Sequence, residues 1–388
     1  MRFAVDATPI LSGGKGLAIF LETFLDFLAR SEALKPVVVY VDVSFFEKAR
    51  SRWPGIPLTP VRSRPALLWE RLRLPRLAKR DGIEILFTGR DRTACEPACE
   101  TVVYLFEVPD YRTGASLMSA DDGWYSKAAA LLTRYAFASV ARRVTRLIVS
   151  SEFTRRELEE RYGVPKEKIA VVYPGLRPGL FSAKDSELHR EARRRFTAGR
   201  SYVLHFATGD PRDNTETALA AFARAAPRLR DEVALLLAGV SEQRHAAIEQ
   251  LVARYGITGR CYMAGFLTGE SLSSAYLEAE AYLDPTLYEG FGFQLLEAMA
   301  SGVPVLSSRV SSVPEVVQDA GFLCDPRDVE EFASGLVSIL NDPGRRESMI
   351  LKGVERARQF SWDETTSQLA SVITAITPRI RETSGRRR

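Results

Sequence analysis

In the second half of the chain, short runs of apolar residues alternate with longer stretches whose apolar positions recur every three to four residues. The runs at 202–207, 233–238, 261–264, 281–283, 303–307 and 322–324 read as strands. The stretches at 214–226, 241–254, 270–279, 293–301, 327–340, 345–358 and 363–376 read as helices. The first half follows the same rule less strictly. Strands are expected at 3–6, 36–43, 83–87, 101–106, 146–150 and 169–172, and helices at 17–28, 65–80, 121–140 and 152–162, with Pro75 kinking or splitting the second helix. Alternation of this kind predicts an α/β protein with parallel sheets and right-handed crossovers. The turn-rich stretch Pro174-Gly175, Pro178, Gly179 marks a boundary. The expected organisation is two Rossmann-like, doubly wound domains, 1–178 and 179–361, with ligands outside the carboxyl ends of the strands in the cleft between them.

Length and composition agree with this picture. A chain of 388 residues is too long for one ordinary core. Its 46% hydrophobic and 26% charged content is that of a globular protein. The net charge of +4 is unevenly placed: residues 1–175 hold 27 Lys and Arg against 21 Asp and Glu, and the remainder 26 against 28. A balance this mild gives no reason to expect nucleic acid as a partner, but a basic first half favours an anionic acceptor or a membrane surface. Within it, Arg62, Arg64, Arg71, Arg73, Arg76, Lys79 and Arg80 surround an apolar stripe of Leu67, Leu68, Leu72, Leu77 and Ala78. Such a helix packs on a core with a solvated basic face, or lies on anionic lipid. No apolar run reaches membrane-spanning length, since 128–151 is interrupted by four arginines. Met1-Arg2 runs straight into an expected strand, so no signal peptide is expected before the fold. Cys95, Cys99, Cys261 and Cys324 lack metal-site spacing and read as reduced thiols of a cytoplasmic protein.

The chemistry concentrates in 284–306. A strand stops at Asp284-Pro285, a turn Glu289-Gly290-Phe291-Gly292 follows, and a helix runs from Phe293 to Ser301. Glycines let the backbone approach a ligand, and a helix start behind a strand end favours an anion. Two carboxylates border the turn: Glu289 within it, and Glu297 about one helical turn inside. Carboxylates accept well from paired hydroxyls, so the pattern suits one ligand carrying phosphate and sugar hydroxyls. A second glycine loop, Ser12-Gly13-Gly14-Lys15-Gly16, links the first strand to the first helix.

The segments Tyr288-Glu289-Gly290-Phe291-Gly292, Glu297-Ala298-Met299-Ala300, Gly302-Val303-Pro304-Val305 and Pro314-Glu315-Val316-Val317 together resemble the two-glutamate donor motif of glycosyltransferase family 4. The resemblance extends over most of the chain and is thin in the first half. It implies the GT-B fold, with the two domains facing across a cleft and the last helix, 362–388, packing back on the first domain. It implies a retaining transfer of a sugar from a nucleotide-diphosphate sugar to the hydroxyl of a glycan, lipid-linked glycan or small molecule. It assigns Glu289 to the donor sugar's hydroxyls and Glu297 to the ribose. The backbone of Gly290, Phe291, Gly292 and Phe293 falls to sugar and diphosphate, Gly14, Lys15 and Gly16 to the phosphates, and Gly265 and Phe266 to the base. No Asp-x-Asp dyad stands in a metal-binding context, so no metal and no other cofactor is expected.

The chain departs from the family pattern twice. Where the family carries an arginine and a lysine against the diphosphate, this chain has Thr208 and Asp213, leaving Arg212 as the loop's cation. Where the family often has His-Asp, it has Phe106-Glu107, and Glu107 is the candidate to bind or activate the acceptor hydroxyl. A nucleotide-sugar epimerase of the same fold, or a non-catalytic protein that binds nucleotide sugar or glycan, are the alternatives. A phosphorylase is disfavoured, because no lysine stands in the expected context for pyridoxal phosphate.

Overall fold

A computed structural model describes residues 1–12, 16–32, 34–90, 93, 98–108, 137–176 and 186–376. The chain divides into two compact units. One runs to Pro174 and is rejoined at Trp362, and the other holds Gly175 to Ser361. The boundary expected at 178 lies outside the described residues, as does most of the helix expected at 121–140.

The first unit is a seven-stranded parallel sheet of β1 (Phe3–Asp6), β2 (Val38–Asp42), β3 (Leu58–Val61), β4 (Ile85–Thr88), β5 (Glu100–Leu105), β6 (Arg146–Val149) and β7 (Ile169–Val171), in the order β3-β2-β1-β4-β5-β6-β7. Strands buried on both faces read as continuous apolar runs, which is why most were legible. The strand β3 was not, since Leu58-Thr59-Pro60-Val61 contains a proline; at the sheet's edge the missing N–H costs nothing. Phe20 and Phe24 of the Gly16–Leu28 helix enter the core, and Phe20 stacks on Tyr104 at 4.0 Å between ring centroids. Trp362, Leu369 and Ile373 of the Trp362–Thr374 helix share this core, and Thr365 donates to the Tyr173 carbonyl at 2.7 Å.

Residues 66–80 form one helical run. Its middle, Trp69–Arg73, is wound as a π-helix, in which the Leu74 N–H bonds to the Trp69 carbonyl five residues back. The wider turn carries the chain past Pro75 without a break. It also changes which face is buried. Trp69, Leu74 and Ala78 pack inward, whereas Leu67 and Leu72, expected in the apolar stripe, are 56% and 43% exposed.

The second unit is a six-stranded parallel sheet of β8 (Tyr202–Phe206), β9 (Ala234–Ala238), β10 (Cys261–Met263), β11 (Ala279–Asp284), β12 (Val305–Ser308) and β13 (Gly321–Cys324), in the order β10-β9-β8-β11-β12-β13. Val203, Leu235, Leu283 and Leu306 pack under Phe222 and Leu219 of the Thr215–Ala225 helix and Phe332 and Leu336 of the Val329–Asn341 helix. The Ser186–Thr197 helix was not anticipated, although Leu188, Ala192 and Phe196 recur every four residues along its sequence. Strand order reverses between β1 and β4 in one unit and between β8 and β11 in the other, and at such switch points open parallel sheets place their ligands. Among the described residues no helix is long and apolar enough to cross a membrane.

Candidate functional site

The glycine turn follows β11 and opens the Phe293–Ala300 helix. Gly292 caps that helix at φ +88°, and a Cβ there would come within 2.7 Å of Leu295 Cδ1, so the position requires glycine. The turn is clamped from the loop after β12. The Glu289 N–H donates to Ser311 Oγ at 2.8 Å, and Ser312 Oγ donates to the Glu289 carbonyl at 2.9 Å. Phe291 is buried edge-on against Phe293 and Phe360. The backbone is therefore held in place, while the Glu289 side chain is half-buried.

Glu297 is 6% exposed. A carboxylate this deep needs donors. One is the hydroxyl of Tyr276, 3.0 Å from Oε2. Tyr276 itself is fully buried on the Gly269–Leu277 helix and tilts against Tyr282 and Phe206. It was not singled out from the sequence, where one tyrosine in an apolar run carries no signal.

The loop after β8 meets the glycine turn. The Arg212 carbonyl accepts from the Leu287 N–H at 2.9 Å and from Thr286 Oγ1 at 3.2 Å, and Asn214 donates to the Pro285 carbonyl at 2.8 Å. Thr208 and Asp213, the two positions where cations were missed, are bonded to each other: Thr208 Oγ1 donates to Asp213 Oδ2 at 2.8 Å, and the Gly209 N–H donates to the same oxygen at 3.1 Å. Burial raises the Asp213 pKa above the usual carboxylate range, partly offset by the Thr208 bond. Arg212 pairs with Asp210 through Nε and Nη2, at 3.0 and 2.7 Å. Its charge is already met within the loop. At the end of β11, Asp284 is buried, and burial pushes its pKa to about 7 despite a bond from Ser307. This end of the sheet is thus rich in carboxyl groups. The loop after β10 carries Gly265 and Phe266, the latter 72% exposed, and is bonded to the loop after β9 through the Gly239 and Val240 N–H groups.

In the first unit, Gly14 and Lys15 lie outside the described residues, and Gly16 opens the first helix. Glu107 follows β5 and is half-buried. A charged network not foreseen from the sequence occupies the carboxyl ends of β1 and β4. Arg90 reaches Glu70 at 2.9 Å and Asp6 at 3.4 Å, and Thr8 Oγ1 donates to Asp6 Oδ1 at 2.7 Å. Its members are up to 84 residues apart, so no local pattern announces them. Among the described residues, no group of three or more His, Cys, Asp or Glu side chains is arranged to hold a metal ion.

Residues 15–179 match the family described as Glycosyltransferase Family 4, and residues 189–356 match Glycosyl transferases group 1. The chain belongs to glycosyltransferase family 4. This family 4 chain is 32% identical over 222 residues to O-antigen chain mannosyltransferase B of Escherichia coli, covering 57% of this chain and 58% of the relative. It is 31% identical over 242 residues to D-inositol 3-phosphate glycosyltransferase of Salinispora tropica, covering 58% and 50%. It therefore spans between half and three-fifths of the length of these curated relatives. Among solved structures, Anabaena HepE in complex with UDP-glucose superposes with a TM-score of 0.74 at 17% identity, over 97% of this chain and 99% of that one. WaaG, a glycosyltransferase involved in lipopolysaccharide biosynthesis, superposes with a TM-score of 0.70 at 16% identity, over 97% and 100%. With its two parallel-sheet units, the chain has the GT-B fold class.

Proposed function

We propose that this family 4 chain is a retaining glycosyltransferase that moves a sugar from a nucleotide-diphosphate sugar to an acceptor hydroxyl. The observation that carries the reading is the glycine turn between two carboxylates in different surroundings. Glu297, buried and oriented by Tyr276, suits a fixed pair of ribose hydroxyls. Glu289, half-buried on a clamped backbone, suits the hydroxyls of the transferred sugar. The backbone of Gly290, Phe291, Gly292 and Phe293 lies between them and would face the sugar and diphosphate. Exposed Phe266 offers a ring to the base. Glu107 is assigned to the acceptor. The names of the relatives, a mannosyltransferase and an inositol-phosphate glycosyltransferase, and the UDP-glucose bound by HepE support this class of donor.

In the proposed step, the bond from the anomeric carbon to the phosphate oxygen breaks and its electron pair stays on the diphosphate. The acceptor oxygen attacks from the same face, and its proton passes to the departing phosphate. The protein then supplies position and charge stabilisation rather than a nucleophile. No divalent ion is required in this scheme. A panel of nucleotide sugars, screened first by thermal stabilisation and then by product formation, tests it. One donor is expected to stabilise the protein and to turn over unchanged in a chelator. Turnover lost in chelator and restored by magnesium or manganese sinks the metal-independent scheme. Binding without turnover of any donor favours the non-catalytic reading, to which the Thr208–Asp213 pair lends support by replacing charge with a neutral-to-acidic contact. An epimerised nucleotide sugar as the product favours the epimerase.

We also propose that the protein is cytoplasmic and touches the inner membrane face through the 66–80 run. Leu67 and Leu72 are exposed, with Arg71 and Arg76 exposed beside them on the same run. Apolar side chains ringed by cations insert into anionic lipid surfaces. The protein is expected to co-sediment with phosphatidylglycerol vesicles and not with phosphatidylcholine vesicles. Replacing both leucines by serine should abolish co-sedimentation, and equal sedimentation with both lipids would refute the contact.

A further inference from the structure

We infer that Arg244 supplies the positive charge for the donor's diphosphate on the β8 side of the second unit's switch point. The inference rests on the nucleotide-sugar reading above and adds a residue that neither the motif nor the family pattern singled out.

Arg244 lies in the first turn of the Glu242–Arg254 helix, which follows β9. It stands beside β8 at the carboxyl edge of the sheet. Its guanidinium crosses the sheet edge to the neighbouring loop and lies against Gly209. A Cβ built on Gly209 would fall 2.7 Å from Arg244 Nη1, 3.0 Å from Cδ and 3.3 Å from Cζ. Gly209 sits at φ +102°, a conformation that side chains avoid. The loop thus presents a bare backbone face to the guanidinium and leaves it room. The two loops are further locked together, because Gly239 packs against Thr208.

Arg244 Nη1 is buried and has no hydrogen-bond partner. The rest of the side chain is partly exposed, and an unpaired Nη1 shut from water is costly, so a ligand oxygen that reached it would remove that cost. The nearby carboxylates do not complete it. Asp213 is engaged by Thr208 and the Gly209 N–H, and Asp210 faces Arg212. The two arginines on this side of the sheet are therefore not equivalent. Arg212 carries its counter-charge with it, whereas Arg244 holds an unpaired donor against the loop whose positions 208 and 213 carry no positive charge. The planar fork of arginine fits paired phosphate oxygens. The chemical class that completes it is an anionic oxygen pair, as on a nucleoside diphosphate.

The test compares binding of UDP, GDP and ADP with binding of uridine, guanosine and adenosine. It uses the unaltered chain, Arg244→Ala, Arg244→Gln and Arg244→Lys, with thermal unfolding recorded for each variant. For whichever diphosphate the wild type binds, Arg244→Ala and Arg244→Gln are expected to lose tenfold or more in affinity. The matching nucleoside should bind as before, and Arg244→Lys should recover part of the loss. Equal affinity of wild type and Arg244→Ala for that diphosphate overturns the assignment. So does an equal loss for diphosphate and nucleoside, which would mark Arg244 as a prop for the loop. A wild type that binds none of the three diphosphates overturns the nucleotide-sugar reading itself, and this assignment with it.

Discussion

Glu297→Ala is expected to weaken binding of the free nucleoside diphosphate by roughly tenfold to a hundredfold, the loss of about 1.5–3 kcal/mol that goes with one charged hydrogen bond. Glu289→Ala should leave that affinity within a factor of two and instead cut turnover and the added affinity of the complete nucleotide sugar. The asymmetry follows from where the two carboxylates stand. Glu297 is 6% exposed on a helix and takes a bond from Tyr276, so it is oriented before any ligand arrives. Glu289 sits on a clamped backbone with its side chain half-buried. Tyr276→Phe separates orientation from charge: it keeps the carboxylate and removes one donor, so its effect on nucleotide affinity should be clearly smaller than that of Glu297→Ala. Calorimetric titration of the three variants with nucleoside diphosphate and with intact donor is the measurement. Unchanged nucleotide affinity in Glu297→Ala would remove the ribose assignment.

Lowering the pH from 7.5 to 4.5 is expected to cost the wild type roughly 2–3 kcal/mol more stability than His205→Gln, through one buried imidazole. His205 is fully buried at the end of β8. Its Nδ1 lies 2.9 Å from the Leu283 carbonyl, which can only accept, so Nδ1 carries the proton and Nε2 accepts from Thr215 Oγ1 at 3.2 Å. Burial pulls the pKa from 6.5 to about 4. The unfolded chain therefore takes up a proton through the range near 6.5, whereas the folded one resists until about pH 4. Stability is fully present above 6.5 and drains away as the pH falls. Asp284 works in the opposite direction. With a folded pKa of about 7 against 3.8, its stability is present at low pH and is lost as the pH rises. The two slopes partly cancel in the wild type, so the quantity to measure is the difference between wild type and His205→Gln in denaturant unfolding at each pH. Parallel pH dependence in the two proteins would show that His205 is not held neutral.

Much of the donor half was legible from local pattern. Strands such as Ala234-Leu235-Leu236-Leu237-Ala238 are buried on both faces and must be apolar throughout. The glycine turn announces itself because Gly292 holds a backbone conformation with no space for a side chain. Local rules failed where a tertiary position excused a breach of them. Pro60 is tolerated because its strand is an edge, and Pro75 because a π turn precedes it. Leu67 and Leu72 face outward because that same π turn rotates the helix, giving the inner face to Trp69 and Leu74.

By itself, then, the sequence determined most of the order of strands and helices, β3 and the Ser186–Thr197 helix among the exceptions, together with the glycine turn and the two flanking glutamates, since each is set by backbone conformation or by the burial of neighbouring residues. The tertiary structure alone decided how charge is distributed over those elements. It placed Tyr276 on Glu297 across 21 residues, bonded Thr208 to Asp213, bound Arg212 to Asp210, brought Arg90 to Asp6 and Glu70, and laid Arg244 on Gly209. Periodicity records which face of an element is apolar. It does not record which polar groups from separate elements arrive at the same strand ends, and there a hydrogen bond depends on tenths of an ångström that only the packed fold supplies.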